Sequence, residues 1–406
     1  MRPVSSNFER PDCESFAVRR RRRLGMFRPA FRLDIARLTL NWAPVEDLAD
    51  SFPALLFALA TGYGTAAARE TAFRMVGDGH ALKDVAAAIG IPLWLRRIPA
   101  EAMVRPFPML PTDPDVTALI LSRIPENASE CCVWLDRFLA ALTLAGRDFA
   151  IWAAREPRFM PAGTTDEAFQ WLLAWGWASR SPRSNGHAML RTAWNPTMGW
   201  KRAQDEIALW RKRIDLVGAL ADPDRDPWFA NGQAFGYDFV GLDSVAAVLK
   251  ESAAMENCLD QYAAHLSYGR VRVFSVRRDG RSVADVELSL RADETTMASI
   301  SQVRGPRNRR APPAIWQAAH AWLGGQIFRP LSASPTPPAI SREAMKLFWH
   351  PYVKALEAGG LSNRLVTHLP GAGPRRPARN RSESLEAVIR EAMAPTVRRA
   401  QRTGRA

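Results

Sequence analysis

Two alternating runs around Asp279-Gly280 constrain the fold more than any other feature of this sequence. Residues 271–277 and 282–290 carry apolar side chains at many alternate positions, a pattern typical of strands that bury one face. Asp-Gly between two such runs favours a two-residue hairpin turn, because both positions tolerate positive φ angles. The sequence therefore predicts an antiparallel hairpin at this point of the chain.

The predicted turn also fixes which residues of the hairpin face each other. It sets Val273 opposite Val286 on a largely apolar face, and Arg272 opposite Glu287 on a more polar face. Two interpretations of Glu287 follow from this pairing. It is either one half of an exposed cross-strand ion pair, which contributes little to stability, or a site carboxylate held by an arginine.

A third strand and two flanking helices complete the predicted module. Residues 296–303 continue the alternation, and amphipathic patterns near 254–267 and 313–324 predict helices that cover the sheet. The predicted fold class is α+β, with a mainly helical N-terminal region followed by a small three-stranded antiparallel meander packed on helices. The register of the third strand stays open, because a one-residue slip moves Gln302 from the face of Glu287 to the apolar face.

Residues from Met255 to Leu266 show apolar and small side chains at three- and four-residue spacing, which predicts one face of a helix. Cys258 and Tyr262 lie four residues apart on that face. Both are either core residues or members of a site. A nucleophilic thiol needs a nearby base and an electropositive setting, whereas Glu256 places negative charge close to Cys258 in the chain.

A basic, glycine-containing loop joins the third strand to the last helix of the module. Backbone amides and arginines close to a helix N-terminus form a reasonable anion site, and the alternative is a solvated turn. The candidates for anion or nucleic-acid binding are Arg304, Gly305, Arg307, Asn308, Arg309 and Arg310.

The string Gln302-x-Arg304-Gly305-x-x-Asn308 is among the most specific parts of a wider pattern that includes the segment from 255 to 262 and the hairpin. Residues 243–325 carry this pattern, which resembles the PcfJ-like family, found in bacteria and often linked to conjugative plasmids and other mobile elements. The resemblance implies association with a mobile genetic element and supplies no catalytic mechanism. Many members carry histidine where this chain has Asn257, which argues against a Cys–His pair.

The rest of the chain divides by composition and periodicity. Apolar spacing of three and four residues predicts helices over most of 33–220, where Trp171, Trp175 and Trp210 lie on helical patterns. Core packing is the favoured interpretation of these tryptophans, and a stacking platform for bases is the alternative. The predicted segments are a basic flexible leader (1–32), a helical, Trp-rich domain (33–220), a loop-rich boundary (218–242), the α+β module (243–325), a helical extension (339–370) and a basic tail with a terminal helix (371–406).

The net charge of +14 lies mostly at the two ends of the chain. The leader 1–32 and the tail 371–406 each carry nine arginines against three acidic residues. Arms of this kind attract DNA or RNA through phosphate contacts and counterion release. The alternative interpretation is a pair of solubilising arms without a nucleic-acid partner.

Cysteine spacing and hydropathy argue against several classes of protein. The four cysteines form no C-x-x-C pair and no Cys/His spacing typical of zinc, so neither a metal nor a cofactor is predicted. No apolar run reaches the roughly 20 residues that span a bilayer. The sequence therefore predicts a cytoplasmic protein without a membrane span, in a reducing compartment.

Two hypotheses of function follow. The first is a cytoplasmic accessory protein of a bacterial mobile or conjugative element, which binds DNA, RNA or a protein partner through its basic tails and has no established catalysis. The second is an enzyme of unassigned class, acting on a phosphodiester or a nucleotide. Its site would gather Cys258, Tyr262, Glu287, Gln302, Arg304 and Asn308. Convergence of these side chains on one concave pocket would favour the enzyme.

Overall fold

The chain forms two compact units, Met1–Ile214 and Asp215–Ala406. The computed structural model describes residues 16–155, 166–221, 226–267, 269–290, 297–327, 331, 341–361 and 363–372. Within these residues the architecture is α+β, which confirms the predicted class.

The first unit is built from helices, in agreement with the helical periodicity of its sequence. Several of them begin at a proline, whose fixed φ suits the first turn of a helix. The helices are α1 Phe16–Gly25, α2 Pro29–Asn41, α3 Leu48–Ser51, α4 Pro53–Ala60, α5 Ala66–Gly77, α6 Leu82–Ile89, α7 Pro114–Leu121, α8 Ala128–Leu144, α9 Arg147–Arg155, α10 Asp166–Arg180, α11 Asn185–Ala188 and α12 Trp200–Ala219, whose last turn belongs to the second unit.

Three tryptophans of this region lie in its core. Trp171, Trp175 and Trp210 are all buried, which confirms the packing interpretation. The indole N–H of Trp210 donates to the carbonyl oxygen of Gly186 at 2.9 Å. Buried indoles do not present their faces to solvent, so these three residues do not form a platform for bases.

The basic leader is structured over part of its predicted length. Helix α1 lies within it, and Arg23 donates to Asp50 at 2.7 Å and to Asp47 at 2.9 Å. The prediction of a flexible segment over the whole of 1–32 is therefore wrong for residues 16–25. Residues 1–15, and the part of the predicted tail from 373 to 406, lie outside the described residues.

The second unit contains an antiparallel sheet of five strands rather than three. The strands follow the chain in the order β1 Gly232–Ala234, β2 Tyr237–Gly241, β3 Val271–Arg278, β4 Arg281–Leu290 and β5 Ala298–Arg304. The predicted meander is β3–β5. The two additional strands lie in the segment that was predicted to be a loop-rich boundary, where Phe235 and Gly236 form a tight turn with φ angles of 48° and 77°. The module therefore begins before residue 243.

Four helices accompany the sheet among the described residues of this unit. They are α13 Val245–Met255, α14 Ala263–Ser267, α15 Pro313–Gly324 and α16 Arg342–Ala358. Helix α15 has the predicted bounds, and α16 lies in the predicted helical extension.

The single helix predicted near 254–267 is wrong. Helix α13 ends at Met255, and Glu256 adopts a left-handed conformation with φ 48°. Asn257 then competes with the helix, because its side-chain oxygen accepts from the amide of Leu259 at 3.1 Å. The hydroxyl of Ser252 donates to the carbonyl oxygen of Asn257 at 2.8 Å and holds the break. A short 3-10 turn follows before the chain enters α14.

The predicted hairpin turn is confirmed, and most of the predicted register is wrong. Asp279 and Gly280 have φ angles of 52° and 72°, as a two-residue turn requires. A β-bulge beyond the second pair adds Val283 to β4 and shifts the pairing by one residue. Val273 therefore faces Glu287 instead of Val286.

The bulge exchanges the two faces of the sheet for part of β4. Phe274 and Val286 now lie on the face that packs on α15, where Trp322 stacks on Phe239 at 4.7 Å between ring centroids. Asp285 and Glu287 lie on the opposite face, with the residues that follow α13.

The predicted ion pair between Arg272 and Glu287 is absent from the described structure. The Arg272 guanidinium lies over the ring of Trp228 at 4.6 Å, and its Nε donates to the carbonyl oxygen of Asp226 at 2.7 Å. Glu287 is thus available to other partners.

Candidate functional site

A cleft of about 380 Å³ opens on the face of the sheet that carries Glu287. It is lined by all six residues of the predicted enzyme site, which are Cys258, Tyr262, Glu287, Gln302, Arg304 and Asn308. Four residues absent from that set, Asn257, Leu259, Val273 and Asp285, complete the lining. The side chains come from the segment after α13, from β3, β4 and β5, and from the loop after β5.

Glu287 lies at the centre of a hydrogen-bond network. A second bulge, in β5, places both Ser301 and Gln302 opposite Glu287. The Ser301 hydroxyl donates to Oε1 of Glu287 at 2.7 Å, and Nε2 of Gln302 donates to Oε2 at 2.6 Å. Of the two registers that the sequence allowed, the structure has the one with Gln302 on the face of Glu287. Both carboxylate oxygens are therefore held in a fixed direction.

Gln302 connects Glu287 to two further residues of the cleft. Its Nε2 also donates to the hydroxyl oxygen of Tyr262 at 3.1 Å, and its Oε1 accepts from Nε of Arg304 at 3.2 Å. Burial, and after it the negative charge of Glu287, raises the pKa of Tyr262 above its usual value of 10.0. Tyr262 is thus a neutral phenol at physiological pH.

Cys258 occupies the exposed side of the cleft. Its thiol lies 3.7 Å from Nδ2 of Asn308, a weak amide–sulfur contact. The two residues that were predicted to stack on one helix, Cys258 and Tyr262, reach the same cleft from a 3-10 turn instead. The ring of His265 packs against Tyr262, with 5.0 Å between centroids.

An ion pair joins the two loops at the rim of the cleft. Arg307 donates to both oxygens of Glu256, at 2.9 Å and 3.1 Å. Glu256, Arg307 and Asn308 all have left-handed backbones, with φ angles of 48°, 57° and 58°. Non-glycine residues adopt this conformation at a cost in free energy, and it is common at functional sites.

The six anion-binding candidates separate into three groups. Arg304 and Asn308 reach the cleft. Arg307 is paired with Glu256, and the amide of Gly305 donates to the carbonyl oxygen of Arg309 at 2.8 Å. The side chains of Arg309 and Arg310 are exposed outside the lining. The amides of Gly305 and Arg309 donate within the loop, so the cationic side chains are the main groups of the loop that can attract an anion.

A buried pair of carboxyl groups, Glu251 and Asp285, was not predicted from the sequence. The two residues are 3% and 5% exposed. Ser275 and Ser282 donate to the two oxygens of Glu251 at 2.8 Å and 2.9 Å. Asn257 donates to Oδ2 of Asp285 at 2.6 Å. Burial, and after it the charge of Glu251, raises the pKa of Asp285 to about 8.

One signal in the sequence could have indicated Glu251. Val248, Glu251, Ser252 and Met255 recur with helical spacing and are all buried in α13, so a carboxylate lies within an apolar stripe. A buried carboxylate needs donors or a proton. No signal indicated Asp285, because the bulge decides which face of the sheet it occupies.

Comparison of the chain with protein-family models, with curated proteins and with solved structures finds no match in any of the three. Among the described residues, no group of three or more His, Cys, Asp and Glu side chains is arranged to hold a metal ion. No helix in the same part of the chain combines the length and the hydropathy that a membrane span requires.

Proposed function

We propose that this chain is an enzyme whose cleft binds a phosphodiester or a nucleotide and carries out acid–base chemistry on it. The observation that carries this proposal is the convergence of six different polar residue types on one concave surface. A cleft with convergent polar groups and perturbed pKa values is the usual form of an active site.

The preference for an anionic ligand rests on the arginines. Arg304 lines the cleft. Its Nε is bonded to Gln302, and the residue as a whole is exposed to solvent. Arg309 and Arg310 add positive charge nearby. Guanidinium groups bind phosphate oxygens through paired, charge-assisted hydrogen bonds.

The acid–base chemistry is assigned to Glu287 and Tyr262. Glu287 is a carboxyl group whose direction is fixed by Ser301 and Gln302, as a general base requires. Tyr262 is a neutral phenol bonded to the same glutamine, and it supplies a donor to a developing negative charge.

Glu287→Gln is expected to lower turnover of bis(4-nitrophenyl) phosphate, a general phosphodiester probe, by about 100-fold or more. Glutamine keeps the shape of the side chain but cannot take a proton. The measurement is the release of 4-nitrophenolate by the full chain, with circular dichroism to show that the fold is kept.

Glu343→Gln is the matched control for this experiment, because the same chemical change falls on an exposed residue of α16. It should leave turnover unchanged. If the wild type neither turns over the probe nor binds any of the four ribonucleoside 5′-monophosphates by NMR, the proposed function is wrong. Full activity in Glu287→Gln would reject the role of Glu287.

We propose a second function for the ends of the chain, as an accessory protein of a bacterial mobile element that engages DNA or RNA in the cytoplasm. The observation in its favour is the concentration of arginine there, with nine in 371–406. The resemblance of 243–325 to the PcfJ-like family agrees with this setting. Arg20 and Arg23 are bonded within the first unit, so part of the charge at the N-terminal end is already paired.

Removal of residues 373–406 is expected to abolish most of the salt-dependent affinity for a short DNA duplex. Each lost phosphate contact should reduce the slope of log K against log salt concentration by about 0.9. Fluorescence anisotropy at several salt concentrations measures the slope. Removal of residues 1–15 alone, which takes away two arginines, should have a smaller effect. An unchanged slope after removal of 373–406 would contradict the proposal.

A further inference from the structure

We infer that Glu251 and Asp285 share one proton, and that Asp285 exchanges this proton with a ligand bound in the cleft as a general acid–base group. This inference rests on the proposed function, because it assigns a catalytic role within the same cleft. It adds two residues that the predicted site did not contain.

The first support is an unmatched atom. Oδ1 of Asp285 is buried and has no hydrogen-bond partner among the described residues, while Oδ2 accepts from Asn257. An unpaired buried carboxylate oxygen is strongly unfavourable. A proton on this carboxyl group removes the problem, because the side chain becomes neutral and can donate to Glu251, with which Asp285 is hydrogen-bonded.

The second support is the asymmetry between the two carboxyl groups. Glu251 accepts two hydroxyl hydrogen bonds, and Nη2 of Arg277 lies 3.9 Å from its Oε2. These contacts stabilise its negative charge. Asp285 accepts one amide hydrogen bond on a single oxygen. The proton of the pair therefore resides on Asp285.

The third support is access to the cleft. Asp285 lines the cleft, whereas Glu251 is absent from its lining. The proton is thus held on the member of the pair that borders the cleft. Asn257 fixes the direction of the Asp285 side chain, since its own side-chain oxygen is anchored by the amide of Leu259.

Other charged and titratable groups surround Asp285. Arg304 is its register partner in β5, but the Arg304 guanidinium is exposed and bonded to Gln302. Arg307 is paired with Glu256 at the rim. The groups on the elements that pack against Asp285 are Glu251 in α13, Glu256, Cys258 and Tyr262 after it, Arg277 in β3, Glu287 in β4, and Arg304 and Arg307 in and after β5. Glu251 is the one whose charge acts most strongly on Asp285.

The exchange is a simple proton transfer. The O–H bond of Asp285 breaks, its electron pair stays on the carboxylate, and a lone pair of a ligand oxygen forms the new O–H bond. The two carboxyl groups then carry two negative charges, so Asp285 regains a proton from the ligand or from water. A pKa of about 8 lies close to physiological pH, where proton exchange in both directions is efficient.

The pair is tested first without any ligand. Protein labelled with ¹³C at the aspartate carboxyl carbons is titrated by NMR, and Asp285→Asn identifies the signal of Asp285. We expect a midpoint near pH 8 in the wild type. Glu251→Gln should lower this midpoint by at least about one pH unit, because it removes the neighbouring charge. A wild-type midpoint near 4, or no shift in Glu251→Gln, would overturn the shared proton.

The exchange with ligand is tested by the pH profile of bis(4-nitrophenyl) phosphate turnover. The turnover rate of the wild type should change with pH around a midpoint near pH 8. Asp285→Asn should lose this pH dependence, with a fall in turnover of about 10-fold to 100-fold. Asp279→Asn is the matched control, since Asp279 is exposed in the hairpin turn and asparagine tolerates its left-handed backbone.

The outcomes of the two tests are distinguishable. If the change in turnover near pH 8 persists in Asp285→Asn, the catalytic role of Asp285 is wrong. A wild type without turnover or nucleotide binding overturns the proposed function and the exchange with it. A midpoint near 4 overturns the shared proton even where turnover is observed.

Discussion

Trp322→Ala is expected to lower the unfolding free energy of the second unit by about 4 kcal/mol. Trp322 is 3% exposed in α15. Its ring lies 4.7 Å from the centroids of both Phe239 and Phe274, and 6.4 Å from that of Phe229. Alanine would leave a cavity between α15 and the sheet, and the aromatic rings around it would lose their contacts.

Urea denaturation measures this loss, with amide hydrogen exchange in β3 and β4 to report on the second unit. Trp316→Ala is the matched control, because Trp316 lies on the same helix and is only partly buried. Its replacement should cost less than half as much. Equal losses in the two variants would show that the stacking on Phe239 contributes nothing beyond general burial.

The local features of the sheet could be predicted where they depend on a few neighbouring residues. Asp279-Gly280 specifies its turn directly, since both residues adopt positive φ angles. The bulge near Val276 depends on how the two faces of β4 pack against different helices. The alternation of apolar residues along β4 does not reveal the bulge, and a one-residue shift in register exchanges the two faces of the strand.

The candidate site could be predicted as a set of residues but not as a geometry. Cys258 and Tyr262 were placed on one helix, yet they reach the cleft because Asn257 ends that helix. Glu287 was paired with Arg272, yet two bulges bring it to Ser301 and Gln302 instead. The predicted set of polar residues still lines the cleft despite these errors, because a buried polar side chain needs a hydrogen-bond partner wherever the backbone places it.

The contact between Glu251 and Asp285 could not be predicted from the sequence pattern. Asp285 has the appearance of an ordinary charged residue on a strand, and the helical spacing around Glu251 indicates a buried carboxylate without indicating its partner. Their interaction depends on the packing of α13 against a face of β4 that only the bulge determines. Long-range contacts of this kind are outside the reach of local periodicity.

Asp285→Asn is expected to make the second unit more stable than the wild type at alkaline pH, by on the order of 3 kcal/mol at pH 9. Burial first, and the charge of Glu251 second, raise the pKa of Asp285 from 3.8 to about 8. Between about pH 4 and pH 8 the folded protein therefore holds a proton that the unfolded chain has released. The wild type loses stability as the pH rises through this window, whereas asparagine does not titrate.

The measurement is the difference in unfolding free energy between Asp285→Asn and the wild type at several pH values from 5 to 9. Other titrating groups are common to both proteins and cancel in the difference. The difference should be small at pH 5, grow toward pH 8 and then level off, while Asp279→Asn should stay flat. A flat difference for Asp285→Asn would mean that Asp285 is ionised throughout. Because this test needs no ligand, it reports on the buried proton whether or not the substrate of the cleft is known.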